Sequence, residues 1–216
     1  MPDTPVNAAI DLRTRIESRL RDTLPGGDPL APFMRDLPPE KHEALRSAVP
    51  ANLASAAVLV PLVERPEGLT VLLTLRASHL KHHAGQVSFP GGRVEPHDAG
   101  PWEAALREAE EEIGLTRDFI TRAGYLADQM VISGFRVTPA VGFVRPGFDL
   151  RLDRTEVEDV FEVPLDFILD PANHVPRDRH FMGATIVSYD IPYQGRQIWG
   201  ATANMLVSLF RMLREG

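Results

Sequence analysis

The sequence contains no cysteine among its 216 residues. Disulfide bonds, thiolate nucleophiles and zinc sites with cysteine ligands are therefore excluded. The absence is typical of a protein from a reducing compartment. No apolar run approaches the ~18 residues that a membrane span needs, and residues 1–10 lack the basic and apolar regions of a signal peptide. We therefore expect a cytoplasmic protein that does not bind membranes.

Basic residues are fewer than acidic ones, 23 against 30, so the formal net charge is -7. A general electrostatic attraction to nucleic acid is therefore not expected. The hydrophobic content of 44% and the charged content of 25% are ordinary for a globular protein with a sizeable core. An acidic protein can still bind an anionic substrate if a metal ion lies between the two.

The order of helical and strand-like segments predicts an α+β fold, with a mixed sheet between helices. Residues 1–50 are interpreted as a helical N-terminal extension packed on a main domain of residues 51–216. Helices are predicted at 8–24, 39–48, 101–113, 166–169 and 202–214. Strands are predicted at 54–63, 69–75, 123–132, 136–144, 157–163, 179–191 and 196–198. Trp199 is expected in the core.

One predicted helix concentrates acidic side chains on one side. At 3.6 residues per turn, Glu108, Glu111 and Glu112 lie together on one flank, while the apolar residues form a stripe that faces the core. Gly114 supplies the helix stop. No lysine at helical spacing offsets the repulsion among the three carboxylates, and Arg107 reaches only Glu111 at i+4.

A hard divalent cation with oxygen ligands would relieve this repulsion. For an isolated run of glutamates, a solvated acidic surface is the usual explanation, so the neighbouring residues decide between the two. Upstream of the helix, the chain reads Phe89-Pro90-Gly91-Gly92-Arg93-Val94-Glu95 and continues to Asp98.

Together, these segments resemble the Nudix box, G-x5-E-x7-R-E-U-x-E-E-x-G-U, where U is apolar. The half of the motif that carries the metal is intact, from Arg107 to Leu115. Asp98 replaces the first glutamate of the motif, and eight residues instead of seven separate it from Arg107. The resemblance implies an α/β/α sandwich with a mixed sheet and a loop–helix–loop catalytic motif.

A second segment narrows the resemblance to one branch of the Nudix hydrolases. The run Leu72-Leu73-Thr74-Leu75-Arg76-Ala77, continued to Gly92, is similar to the coenzyme A pyrophosphatase signature LLTxR[SA]-x3-R-x3-G-x3-FPGG. Lys81 stands where the signature has arginine, which keeps the charge but loses the bidentate geometry. The resemblance implies hydrolysis of the diphosphate of coenzyme A or its derivatives to 3',5'-ADP and 4'-phosphopantetheine.

The same resemblance implies a divalent metal cofactor, Mg²⁺ or Mn²⁺, that activates a water molecule and binds phosphate oxygens. The expected metal ligands are Glu108 and Glu112, then Glu111, with the Gly91 carbonyl as a further ligand. Arg107 is expected to position the glutamates. The general base is left open between Glu111, Glu156 and Glu158.

The cations before the box form the expected substrate site. Arg76, Lys81, His82 and His83 would bind the 3'-phosphate of coenzyme A, and Gly92 would let the backbone approach the diphosphate. The alternative is that His83 packs within its own loop and the cations are simply exposed. A zinc site at His79, His82 and His83 is disfavoured because no carboxylate stands at a recognisable spacing.

Several other functions remain to be weighed. ADP-ribose, NADH and dinucleoside polyphosphates are alternative substrates, because the box chemistry is shared among Nudix hydrolases. A non-enzymatic Nudix nucleotide-binding module usually has a degraded box, whereas this helix keeps all three glutamates. A Nudix isomerase would need a cysteine. The expected partner is a small molecule, with no nucleic acid, and the chain is expected to be a monomer or a homodimer.

Overall fold

A computed structural model of the protein describes residues 5–50, 52–131, 133–181 and 184–214. The helices are α1 (Pro5–Leu20), α2 (Ala31–Met34), α3 (His42–Ala48), α4 (Pro101–Ile113), α5 (Leu165–Leu169) and α6 (Gly200–Arg214). The strands are β1 (Ala54–Arg65), β2 (Gly68–Arg76), β3 (Val87–Ser88), β4 (Gly91–Arg93), β5 (Ile120–Tyr125), β6 (Gln129–Val131), β7 (Phe135–Val144), β8 (Val157–Pro164), β9 (Val175–Phe181), β10 (Ala184–Tyr193) and β11 (Arg196–Trp199). No described helix is both long and apolar enough to cross a membrane.

The main sheet is mixed, as predicted. Its central order is β3-β2-β1-β7-β5, and β4, β6 and β8 pair with β1, β7 and β2 respectively. The pairing of β1 with β7 is parallel, and the other pairs are antiparallel. Strand β1 is buried on both faces, since Leu59 and Val60, which point to opposite faces, are both 0% exposed. One face packs against α1 and α6 and the other against α4. The α+β sandwich is therefore confirmed.

Helix α1 contributes directly to this core. Ile16 and Leu20 are fully buried among the residues of β1, β2 and α6. The Thr23 hydroxyl accepts a hydrogen bond from the backbone of Tyr125 at 2.7 Å, which joins the end of the helix to β5. Gly124 lies so close to the Leu20 carbonyl that a side chain there would collide with it. The N-terminal residues therefore share the core of the sheet.

Two predicted strands are divided in the structure. The predicted strand at 123–132 is β5 followed by β6, and the residues between them turn so that buried Asp128 can accept a hydrogen bond from the Thr138 hydroxyl at 2.9 Å. The predicted strand at 179–191 is the hairpin β9–β10, which forms a separate three-stranded sheet with β11. The apolar residues Phe181 and Ala184, which end β9 and begin β10, gave no turn signal in the sequence.

Candidate active site

The pairing of β4 with β1 determines how the glycine pair faces α4. The backbone N–H of Leu59 donates to the Pro90 carbonyl, and that of Val94 donates to the Ser55 carbonyl. In this register, β4 forms its hydrogen bonds with β1 at every second residue. Gly91 falls between these bonds, so its N–H and C=O point away from β1. Its N–H donates to Oε2 of Glu112 at 3.3 Å. The Gly91 carbonyl therefore lies on the side where Glu112 enters.

Both positions of the pair require glycine for reasons of space. A Cβ at Gly91 would lie within 3.0 Å of the backbone of Ala57 and Val58. A Cβ at Gly92 would occupy the position of the Glu108 carboxylate, since it would be within 3.0 Å of three of its atoms. The absence of a side chain at Gly92 is therefore what lets Glu108 approach the backbone of β4.

Glu112 is the most deeply buried acid of α4, with a side chain that is 4% exposed. Its Oε1 lies 3.7 Å from Nη1 of Arg76, which comes from the end of β2. The pKa of Glu112 is raised from its usual 4.5 to about 8; burial is the main cause, Arg76 opposes it, and the charges of Glu156 and Glu108 add to it. The surroundings of this carboxylate are therefore short of positive charge.

Glu108 lies beside Glu112 in a similar environment. Burial is the main cause that raises its pKa; the charges of Glu111 and Glu156 add to this, and the hydrogen bond from Arg107 opposes it. Glu156 lies just before β8 and is exposed, yet its charge acts on both Glu108 and Glu112. The structure therefore brings Glu156 to the same acidic pocket as the two helix glutamates.

The Arg107 guanidinium forms hydrogen bonds with the acidic residues beside this pocket. Its Nε and Nη2 bind the two oxygens of Asp98, each at 3.1 Å, and Nη2 also donates to the Arg93 carbonyl at 3.0 Å. Its Nη1 donates to Glu108 and to Glu111, both at 2.9 Å. All five N–H donors of the guanidinium are thus used within the protein. Asp98, whose pKa the Arg107 hydrogen bonds lower, holds Arg107 in place.

Glu111 does not point into the pocket with the other two glutamates. Its side chain is 60% exposed and turned toward Arg107. Among the described residues, no three histidine, aspartate or glutamate side chains are arranged to hold a metal ion in their present positions. The carboxylates of Glu108 and Glu112 act on each other electrostatically, and the Gly91 carbonyl lies on the same side of β4 as Glu112; oxygen donors of this kind are those that Mg²⁺ and Mn²⁺ prefer.

The loop of residues 77–86 borders the pocket and is tied to residues 155–158. The backbone of Ala77 donates to the Glu156 carbonyl at 2.8 Å, and that of Ser78 donates to the Glu158 carboxylate at 3.1 Å. A ring nitrogen of His79 bonds with the Thr155 carbonyl at 3.1 Å. The Glu158 carboxylate is therefore bonded to the loop, and the backbone bond to Glu156 holds that residue beside the glutamates of α4.

The remaining predicted substrate residues lie on the exposed part of this loop. Lys81, His82 and His83 are all exposed. His83 has a left-handed backbone with φ 57° and bonds through Nδ1 to the Gln86 side chain at 2.9 Å. One nitrogen of His83 is thus used within the loop. Arg76 is separate from these residues, because it lies against Glu112.

Comparisons with known proteins identify the family of this chain. Residues 53–184 match the model of the NUDIX domain. The chain is 41% identical over 181 residues to a Salmonella typhimurium protein described as an uncharacterized Nudix hydrolase, NudL, which covers 83% of this chain and 90% of the relative.

Among solved structures, the chain resembles a MutT protein from Methanosarcina mazei, with a TM-score of 0.49 and 22% identity, over 77% of this chain and 98% of that one. It also resembles the NUDIX domain of Shewanella oneidensis NrtR complexed with ADP ribose, with a TM-score of 0.46 and 17% identity, over 84% and 94% of the two chains. The family model and the Salmonella relative show that this chain belongs to the Nudix hydrolase family.

Proposed function

We propose that this Nudix hydrolase cleaves the diphosphate of coenzyme A and its derivatives to 3',5'-ADP and 4'-phosphopantetheine, with Mg²⁺ or Mn²⁺ as cofactor. The observation that carries the proposal is the pair of carboxylates, Glu108 and Glu112, that lie against the glycine pair, with the guanidinium of Arg76 3.7 Å from Glu112. Arg76 belongs to the segment that resembles the signature of the coenzyme A pyrophosphatases. The metal-binding residues and the residues of that resemblance therefore meet at one place.

Glu108, Glu112 and the Gly91 carbonyl would hold the metal ion, and Glu111 would add to the negative charge at the edge of the pocket. The buried Glu112, with its raised pKa, is a carboxylate that a doubly charged cation would stabilise in its ionised form. When bound, the ion would supply an activated water molecule and neutralise charge on the phosphate oxygens. Arg107 positions Glu108 and Glu111, because all of its donors are used within the protein.

Glu156 is the general base in this proposal, with Glu111 as the alternative. Glu156 is exposed to solvent, lies beside Glu108 and Glu112, and is held there by the bonds of loop 77–86. It would accept a proton from the water whose oxygen forms a new bond to phosphorus, while the bond from that phosphorus to the bridging oxygen breaks. Glu158 is less suited to this role because its carboxylate already bonds with Ser78.

Arg76 would contact the diphosphate, since the metal ion would replace it as the partner of Glu112. Its Nε is buried and has no hydrogen-bond partner in the described structure, so an acceptor on the substrate would satisfy it. Lys81 and His83 would bind the 3'-phosphate that distinguishes coenzyme A from ADP-ribose and NADH. Gly92 would keep space beside β4 for the Glu108 carboxylate, which a side chain at this position would displace.

The test is a substrate panel in the presence of Mg²⁺ or Mn²⁺, with products separated by chromatography. The panel contains coenzyme A, dephospho-coenzyme A, ADP-ribose, NADH and a dinucleoside polyphosphate. We expect the highest kcat/KM with coenzyme A, release of 3',5'-ADP, and loss of activity in a chelator. A higher kcat/KM for ADP-ribose, NADH or the dinucleoside polyphosphate would contradict the substrate assignment, and binding without any turnover would indicate a nucleotide-binding module.

A variant pair tests the residues of the site. Glu112→Gln should reduce kcat at least about a hundredfold, because a neutral amide is a poor ligand for the ion. Glu110→Gln is the matched control, since Glu110 lies on the same helix and is exposed on the opposite flank. Lys81→Ala should raise KM for coenzyme A and leave KM for dephospho-coenzyme A unchanged. An equal effect on both substrates would remove Lys81 from the 3'-phosphate site.

A further inference from the structure

Both faces of the three-stranded sheet pack against other parts of the protein, since Ile186 and Ile191 point to opposite faces and are buried in different clusters. Arg179 of β9 pairs directly with Ile186 of β10, so the two side chains lie on the same face. Ile186 is 4% exposed and packs in a cluster with Phe33 and Met130. Arg179 therefore lies on the face that packs in this cluster, although part of its side chain reaches solvent.

A tryptophan and a carboxylate surround Arg179 on this face. Its guanidinium carbon lies 4.9 Å from the centre of the Trp199 ring, and its Nη2 donates to Asp190 at 2.7 Å. Its Nε is buried and has no hydrogen-bond partner in the part of the chain that the structure describes. Trp199 was expected in the core but is partly exposed. The group therefore offers an unpaired N–H donor and an aromatic surface together.

This group lies beside the strand that leads into the active site. Strand β11, which ends at Trp199, packs against β3. The Thr202 hydroxyl, three residues after Trp199, donates to the Val87 carbonyl at 3.1 Å. From Ser88, the last residue of β3, to Gly91 of the acidic pocket, the chain spans at most ~11 Å. Strand β3 therefore connects the neighbourhood of Trp199 with the acidic pocket.

We propose that Arg179 and Trp199 form the subsite for the nucleobase of the substrate. This inference rests on the proposed function, because it takes the substrate to be an adenine nucleotide. The Nε–H of Arg179 would donate to a ring nitrogen, and the exposed part of the indole would stack on the base. A base fits better than a further phosphate, because the partly exposed indole of Trp199 can stack on a flat base. The diphosphate would then extend toward Arg76 and Glu112.

The fluorescence of Trp199 provides a test that does not depend on turnover. The chain has two tryptophans, so the Trp102→Phe protein reports on Trp199 alone. We expect adenosine 3',5'-bisphosphate, without metal, to quench this fluorescence saturably, whereas pyrophosphate and 4'-phosphopantetheine should leave it unchanged. Arg179→Lys should weaken binding of the bisphosphate at least about fivefold. Calorimetry with the unmodified chain repeats the measurement without the Trp102 substitution.

Arg177→Lys is the matched control, because Arg177 binds the same carboxylate and its side chain is more exposed. We expect it to change the affinity less than twofold. Equal effects of the two substitutions, or equal quenching by pyrophosphate, would overturn the subsite. Binding of the bisphosphate without hydrolysis of coenzyme A would instead contradict the proposed function and support this subsite. Hydrolysis of coenzyme A without any change in the fluorescence of Trp199 would support the proposed function and contradict this subsite.

Discussion

Glu112→Gln should have opposite effects on the stability of the protein with and without divalent metal. Burial of the ionised Glu112 is unfavourable in the metal-free protein, because its pKa rises from 4.5 to about 8 on folding. At about 1.4 kcal/mol per pKa unit, this corresponds to a loss of as much as about 5 kcal/mol at high pH. The sign follows from the direction of the change, since a carboxyl with a raised pKa stabilises the fold while it is protonated. This stability is complete below pH 4.5 and is lost as the pH rises to about 8.

The assay is urea unfolding of the original chain, Glu112→Gln and the control Glu110→Gln, in a chelator, at pH 6 and pH 9. The free energy of unfolding of the original chain, relative to Glu112→Gln, should fall by about 3 kcal/mol between these two pH values. Relative to Glu110→Gln, it should change little. Saturating Mg²⁺ at pH 9 should stabilise the original chain and leave Glu112→Gln nearly unaffected. A difference between the chain and Glu112→Gln that is the same at both pH values would refute the buried-charge argument.

Substitutions at three further positions follow from the geometry. Gly92→Ala should abolish most activity while the protein stays folded by circular dichroism, because the new methyl group would displace the adjacent helix carboxylate. Asp98→Asn should lower kcat about tenfold or more and change KM little, since Arg107 would lose its charged partner. Asp98→Glu should recover less than half of the lost kcat, because its longer side chain does not fit the position of the aspartate. Thr23→Val should cost about 1 to 3 kcal/mol in the free energy of unfolding, measured by urea titration, because the buried N–H of Tyr125 would lose its acceptor.

Patterns within short segments predicted much of the fold. The helix from Pro101 to Ile113 has the predicted bounds, and Gly114 ends it in the left-handed conformation with φ 71°. The strands β1, β2 and β7 also agree with the predicted segments. In each case the apolar periodicity and a nearby turn residue act within one element, so local sequence contains the necessary information.

The contacts between distant segments were not predictable in the same way. Arg76 was assigned to the 3'-phosphate site, whereas the structure places it against Glu112. The two residues are brought together by the pairing of β2 in the sheet and the packing of α4, and no local pattern encodes that distance. The role of Glu158 in binding the Ser78 backbone was hidden for the same reason. A motif identifies which residues carry the chemistry, but their partners depend on the tertiary fold.

The two departures from the Nudix motif have a joint physical explanation. Aspartate is one methylene shorter than glutamate, so its carboxylate reaches less far from the backbone. The loop before α4 is one residue longer, and the backbone of Glu95 donates to Asp98 at 2.8 Å, while the backbone of Asp98 donates to the Glu95 carbonyl at 3.0 Å. This turn carries the Asp98 carboxylate to the edge of the Arg107 guanidinium formed by Nε and Nη2. A longer loop with a shorter acid therefore reaches the arginine that positions Glu108, and neither departure should be tolerated without the other.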